Sequence, residues 1–342
     1  MTVIGHGYDD NVGAPAFRNL IINGSMSVAQ RNTSVASIST GNYYTADRWN
    51  FAQSSTAVWT QSVENDAPTG SGFRKSLKML NTTADSAVAN TDLVIVEQRL
   101  EGQNLQHFAK GTSLAKPFAL QFWVKSNVTG TYAIDLYDST NARNVSANYT
   151  IVSSGTWEKK TVVFPADTAG VLNNDSGVGL YLRFWLMAGS TYSASPLQTV
   201  WGTGANIATG QVNVAAAVNN YWQITGVQLE AGPVATPFEF LPFGDELRRC
   251  QRYYQSGSTP DLYMTFYNPV GDAVYRGVMY PIPHKVTMRS NPNVSITTTS
   301  IDNFVCYAND ANTTLLNLRF RANSTGAPYG SGSVTFTLSS EL

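Results

Sequence analysis

The stretch Ile224–Gln255, ITGVQLEAGPVATPFEFLPFGDELRRCQRYYQ, constrains the fold of this 342-residue chain more than any other segment. Ile224, Val227 and Leu229 read as a core strand, with Gly226 at the place of a bulge. Ala231-Gly232-Pro233 then turns the chain and Pro237-Phe238-Glu239-Phe240 extends it. A short helix is predicted from Glu246, with Asp245 placed to cap it and Leu247, Cys250 and Tyr254 as its apolar stripe. A β-domain therefore ends near Pro242, and a helix hands the chain on to something else.

Charged residues make up only 13% of the chain, about half the usual fraction. Serine, threonine, asparagine and glycine take their place, which suits short strands joined by polar turns. The net charge of −1 offers no basic excess for nucleic acid, so none is expected as a partner. No apolar run of about 18 residues exists for membrane insertion, and no signal peptide is read at the start. Cys250 and Cys306 fall in different predicted domains and are read as free thiols.

Residues 1–18 lack periodicity and are expected to be an N-terminal arm. From 19 to 242 the pattern is β, broken by turn signals such as Pro68-Thr69-Gly70 and Asn173-Asn174-Asp175. The segment 243–256 is the connector helix. Alternating runs at Leu262–Tyr267, Ala273–Tyr280, Asn293–Thr299, Leu315–Phe320 and Ser333–Leu338 predict a second, smaller β-domain over 257–342. Ala205–Asn219 is too β-branched and too broken by glycine to assign.

Separating strand faces by a period of two exposes the candidate site. Phe118, Leu120, Phe122 and Val124 take one face of their strand and leave Gln121, Trp123 and Lys125 on the other. Tyr132, Ile134 and Leu136 point inward, with Asp135 and Tyr137 outward. Leu180, Leu182, Phe184 and Leu186 point inward, with Tyr181, Arg183, Trp185 and Met187 outward. If these strands share one sheet, its outer face is a platform on which rings stack against pyranoses and planar polar groups bond hydroxyls. The same face is equally suited to burial against a neighbouring subunit. Trp49, Phe51, Trp157 and Trp222 are expected in the core, with Arg48 pointing away to pair with Asp47 or a carboxylate of the connector.

Asn19–Met26 (NLIINGSM), Ala29–Arg31 (AQR) and Ala46–Trp49 (ADRW), together with the GVQLE, ATPFE and CQRYY segments of Ile224–Gln255, resemble tail-fibre and other virion structural proteins of bacteriophages. These patches bracket residues 19 to 255. The resemblance implies an all-β virion part: a jelly-roll β-sandwich like a carbohydrate-binding module, the connector helix, then the smaller β-domain. It implies glycan binding on an aromatic face and assembly as a homotrimer. It also implies a calcium site between first and last strands, but Asn23–Met26 carry no acid there and the last strand offers only Glu230, so no metal is expected. His6, His107 and His284 lack ligand-like spacing. Glu97, Glu101, Asp135 and Glu158 sit in no local catalytic motif, and no phosphate loop or nucleophile elbow occurs. Neither a catalytic residue nor a cofactor is expected.

The expectation is a non-enzymatic tail fibre or similar projection in the virion, attached to other virion proteins by its arm and to host surface polysaccharide by Gln121, Trp123, Lys125, Asp135, Tyr137, Tyr181, Arg183 and Trp185. A purely structural head-decoration or tail-adaptor protein is the alternative, and a polysaccharide depolymerase the third.

Overall fold

The structure is a computed structural model that describes residues 18–259, 262–265, 278–302, 304–322 and 329–342. The expected arm, except for Arg18, and most of the run Ala273–Tyr280 lie outside the described residues.

Chain order gives β1 (Ser34–Ile38), β2 (Asn42–Tyr43), β3 (Asn50–Ser54), β4 (Val58–Glu64), β5 (Ser76–Thr83) and β6 (Leu93–Glu101). A 3-10 helix (Gly102–Phe108) precedes β7 (Phe118–Ser126), β8 (Gly130–Asp138), β9 (Arg143–Ile151), β10 (Glu158–Phe164), β11 (Val178–Ala188) and β12 (Tyr221–Ala231). Two six-stranded antiparallel sheets result. Sheet I runs β1-β4-β5-β12-β7-β10, and sheet II runs β2-β3-β6-β11-β8-β9. The chain is all-β, a jelly-roll β-sandwich followed by a short helix and further β-structure.

Alternation explains the sandwich. The expected inward residues of β7, β8 and β11 are all fully buried in one cluster. Each such aliphatic or aromatic side chain contributes about 1.5–3 kcal/mol of burial. Phe184 is the hub, with ring centroids 6.2 Å from Trp49, 5.1 Å from Phe122 and 5.7 Å from Trp222. The expected bulge is present: Gly226 has φ +62°, and the β12–β7 register shifts between Thr225 and Gln228.

The connection after β11 folds back over the outer face of sheet II. Within it, Ile207 and Ala208 pack on Ile95, Ala133 and Trp185. Backbone bonds from Asn144 N to Gly202 O (2.8 Å) and Ser146 N to Gln198 O (2.7 Å) cover the free edge of β9. The unassigned segment Ala205–Asn219 is part of this cover, with a 3-10 turn at Val214–Ala216.

The connector helix is Phe243–Gln251, starting after Pro242. Asp245 is not its cap. It lies in the first turn and pairs with Arg248, while the last turn is basic, as the helix dipole favours. Cys250 and Tyr253 are buried against Ile22 and Val28. Tyr254, expected on the helix stripe, instead opens β13 (Tyr254–Ser258). The remaining strands are β14 (Leu262–Thr265), β15 (Val278–Pro283), β16 (Asn293–Asp302), β17 (Phe304–Ala311), β18 (Leu315–Ala322) and β19 (Tyr329–Ser339). β13, β14 and β16 pair with β19, and β15 and β17 flank β18, around a separate core of Met288, Leu316, Leu318, Phe320, Val334, Phe336 and Leu338.

Candidate functional site

The eight candidate residues do not share a face. Gln121, Trp123 and Lys125 lie on the outside of sheet I through β7, whereas Asp135 and Tyr137 (β8) and Tyr181, Arg183 and Trp185 (β11) lie on the outside of sheet II. The short link Asn127–Thr129 looks like a hairpin turn but carries the chain from one sheet to the other. β7 finds its backbone partners in β10 and β12, and β8 finds its own in β11 and β9.

On sheet II, register sets Tyr181 against Tyr137 and Arg183 against Asp135, with the tyrosine rings 5.6 Å apart. Asp135 is fully buried and receives two bonds from Arg183 Nε (3.0 and 3.1 Å), one from Arg183 Nη2 (2.5 Å) and one from Trp185 Nε1 (2.7 Å). Trp185 is 1% exposed, sealed under Ile207, Ala208 and Tyr192. It is therefore no stacking surface, because the folded-back connection occupies the place a sugar would take. Met187 points inward as well, since a register shift between Trp185 and Met187 breaks the alternation.

Sheet I presents the open face. Trp123 is half-buried beside the Thr225–Gly226 bulge, where a Cβ on Gly226 would stand 2.5 Å from Phe73 Cζ and 3.2 Å from Trp123 Cδ1. Phe73, Phe238 and Phe240 form an aromatic corner with centroids 4.8–5.1 Å apart. Gln121 is buried and satisfied by Thr236 O at 2.6 Å, so it belongs to the floor rather than to a binding surface. Two residues that strand periodicity did not select complete the face. Trp157, expected in the core, is half-exposed just before β10. Its Nε1 donates to Asp66 Oδ1 at 3.1 Å, and Lys125 Nζ lies 5.2 Å from its ring centroid. Asp66, on the β4–β5 loop, also accepts from Lys125 and from Gln223 Nε2 at 3.2 Å. Burial alone would raise the Asp66 carboxyl, but the bonds from Lys125, Trp157 and Gln223 hold it below its ordinary value. The Asp66 side chain remains 43% exposed. Thr225 Oγ1 is buried on the same face without a partner. Turn composition around Asp66 and Trp157 gives no period-two signal, which is why alternation passed them over.

Of the segments singled out in sequence, GVQLE and ATPFE border this face through Gly226 and Phe238, and the others lie elsewhere. Asn23 Nδ2 donates to Val28 O (2.8 Å) and Asp47 O (3.0 Å), and Trp49 Nε1 to Asn23 O (3.1 Å). Trp49, Phe51 and Trp222 are in the core as expected. Gln30 N donates to Asp47 Oδ1 at 3.0 Å, and the Arg31 guanidinium stacks 3.7 Å over the Tyr254 ring. Arg48 is buried against the Tyr253 ring and pairs with Glu341, not with Asp47 or a connector carboxylate. Glu101 binds Arg252 at 2.8 and 2.9 Å and also accepts from Tyr253. Glu230 is taken up by Gln228, Thr236 and Arg18. Arg31, Arg48 and Glu101 tie the sandwich to Tyr254, Glu341 and Arg252, whereas Asn23, Trp49 and Glu230 are fixed within it. Among the described residues no three His, Cys, Asp or Glu side chains gather as metal ligands.

Fold and face define a β-sandwich protein with an aromatic, polar surface on one sheet and a charged seam to a smaller β-lobe. No family model matches the chain, and no curated protein matches it. Among solved structures, the enzymatically active domain of bacteriophage CBA120 tailspike protein 4 is 16% identical over 63% of this chain, with a TM-score of 0.36. The chain spans 21% of that protein's length. A family 11 carbohydrate-binding module of Clostridium thermocellum is 9% identical, covering 59% of this chain and 98% of the module, with a TM-score of 0.31. TmCBM61 in complex with β-1,4-galactotriose is 8% identical, covering 63% and 99%, with a TM-score of 0.32. At these identities and TM-scores the likenesses assign neither family nor ligand.

Proposed function

We propose that this chain is a virion surface protein, a tail fibre or similar projection, that attaches to host surface glycans through the outer face of sheet I. The observation that carries the binding role is the pair Trp123 and Trp157 at either side of Lys125 and Asp66. Trp123 and Lys125 are two residues apart on β7, roughly 7 Å along the strand. Half-exposed indoles supply apolar stacking surface, while Asp66, Lys125 and Gln223 supply the donors and acceptors that sugar hydroxyls need. Arg183 and Asp135 serve instead as a structural ion pair under the connection after β11.

The virion role rests on the resemblance of the 19–255 segments. In this reading the arm, residues 1–18, docks to other virion proteins, the protein binds rather than cleaves polysaccharide, and three chains assemble. Light scattering of purified protein should give the mass of three chains, and a stable monomer at micromolar concentration would contradict the trimer. Phe240 and Phe243, 55% and 60% exposed, favour a second reading in which this part of the surface meets another virion protein. Retention of the protein on immobilised host polysaccharide tests the first reading, and binding only to virion proteins would favour the second.

A further inference from the structure

We infer that the ligand of the sheet I face is an anionic glycan, an inference that rests on the binding role proposed above. Register places Lys78 of β5 and Lys125 of β7 on either side of Gln223, and Lys159 of β10 directly beside Trp123. Lys78 and Lys125 alternate with core residues and Lys159 pairs in register with Trp123, so the side chains of all three share the outer face with the indoles. Lys78 and Lys125 stand two strand spacings apart, roughly 10 Å. Lys78 Nζ lies 5.1 Å from the Tyr221 ring centroid, and Lys75, on the loop that carries Asp66, reaches Asn65 Oδ1 at 3.3 Å.

Three carboxylates of this face oppose these cations. Asp66 is matched by Lys125, Glu230 of β12 by Arg18, and Glu64, on β4 beside the strand of Lys78, accepts from Ser62 Oγ at 2.5 Å. Among the described residues Lys75, Lys78 and Lys159 enter no ion pair, so the surface around the two indoles carries an excess of positive charge. The whole chain carries a net charge of −1, so this excess is local to the face. A ligand that stacks on indoles and neutralises spaced ammonium groups is a saccharide bearing carboxylate, sulfate or phosphate substituents. A neutral glucan would leave the lysines unused.

Four probes test this on the full-length protein: polygalacturonate, dextran sulfate, neutral dextran and oligo-dT. Binding is measured at 50 and 300 mM salt for the wild type, Trp157→Ala, and a Lys78→Gln/Lys159→Gln double variant. The inference expects polygalacturonate or dextran sulfate to bind at least tenfold tighter than dextran at low salt. The stronger of the two identifies carboxylate or sulfate ester as the source of the charge. That preference should shrink at high salt and be lost in the lysine variant, and Trp157→Ala should lose binding to the same probe. Dextran bound as tightly as the acidic polymers, with Trp157→Ala still defective, would overturn the anionic class while leaving the face intact. Oligo-dT bound as tightly as the acidic saccharides would overturn saccharide recognition in favour of general polyanion attraction. Acidic saccharide bound equally by wild type and Trp157→Ala, or no saccharide bound at all, would overturn the binding face itself.

Discussion

Two tryptophans of this sandwich have opposite surroundings, and truncation separates their roles. Trp185 is covered by the connection after β11 and donates to the buried Asp135, so Trp185→Ala leaves both a cavity and a carboxylate short of one donor. We expect a loss of about 3–5 kcal/mol, read as a lowered midpoint in chemical denaturation. Trp157 stands half-exposed at the edge of sheet I, so Trp157→Ala should change stability by no more than about 1 kcal/mol. The reverse ranking would place the open face on sheet II. Alternation gave both the inward sets and the outward sets correctly at β7 and β8. It could not reveal that Trp185 is covered, because the cover comes from Ile207 and Ala208, some twenty residues later in sequence. Nor could it select Trp157 or Asp66, which sit where turn chemistry, not periodicity, governs the chain.

At the scale of elements, the β12 bulge is the feature most directly written in sequence. Gly226 has positive φ, and its missing Cβ leaves room for Phe73 and Trp123. Gly226→Ala should therefore cost about 1–3 kcal/mol through backbone strain and displacement of Phe73, visible in a thermal melt. An unchanged melt would mean that the bulge relaxes freely. Which strands pair was far less legible. The link Asn127–Thr129 is short enough for a hairpin, yet β7 and β8 part into different sheets, each burying its inward face in the shared core. β7 pairs along its length with β10 and β12, and β8 with β9. Such choices depend on contacts between residues far apart in sequence, which local pattern does not encode. The same limit applies to Arg48: its proximity to the Tyr253 ring brings it to the connector, but its carboxylate partner, Glu341, comes from the far end of the chain.

At the scale of the molecule, Arg31 and Arg48 of the AQR and ADRW segments, together with the CQRYY segment, hold the sandwich to the C-terminal β-structure. Glu101 ties β6 to Arg252 and Tyr253, so its carboxylate should be a lever on the joint. Burial alone would raise the Glu101 carboxyl, but the bonds from Arg252 and Tyr253 hold it below its ordinary value. A carboxyl lowered on folding stabilises above its unfolded pKa, about 4.3, and loses that contribution as pH falls through the lower folded value. Glu101→Gln should thus cost about 1–3 kcal/mol at pH 7, with the gap to wild type closing below about pH 4. A gap that stays constant across that range would deny the ion pair its role.

The central claim, that the outer face of sheet I binds host glycan, is tested most directly by retention of the wild type and a Trp123→Ala/Trp157→Ala double variant on a panel of immobilised bacterial surface polysaccharides. The structure leads us to expect wild-type retention on at least one of them, and at least tenfold weaker retention of a double variant whose melting and oligomeric state are preserved. Equal retention of the two proteins, or no retention of the wild type on any polysaccharide, would contradict it.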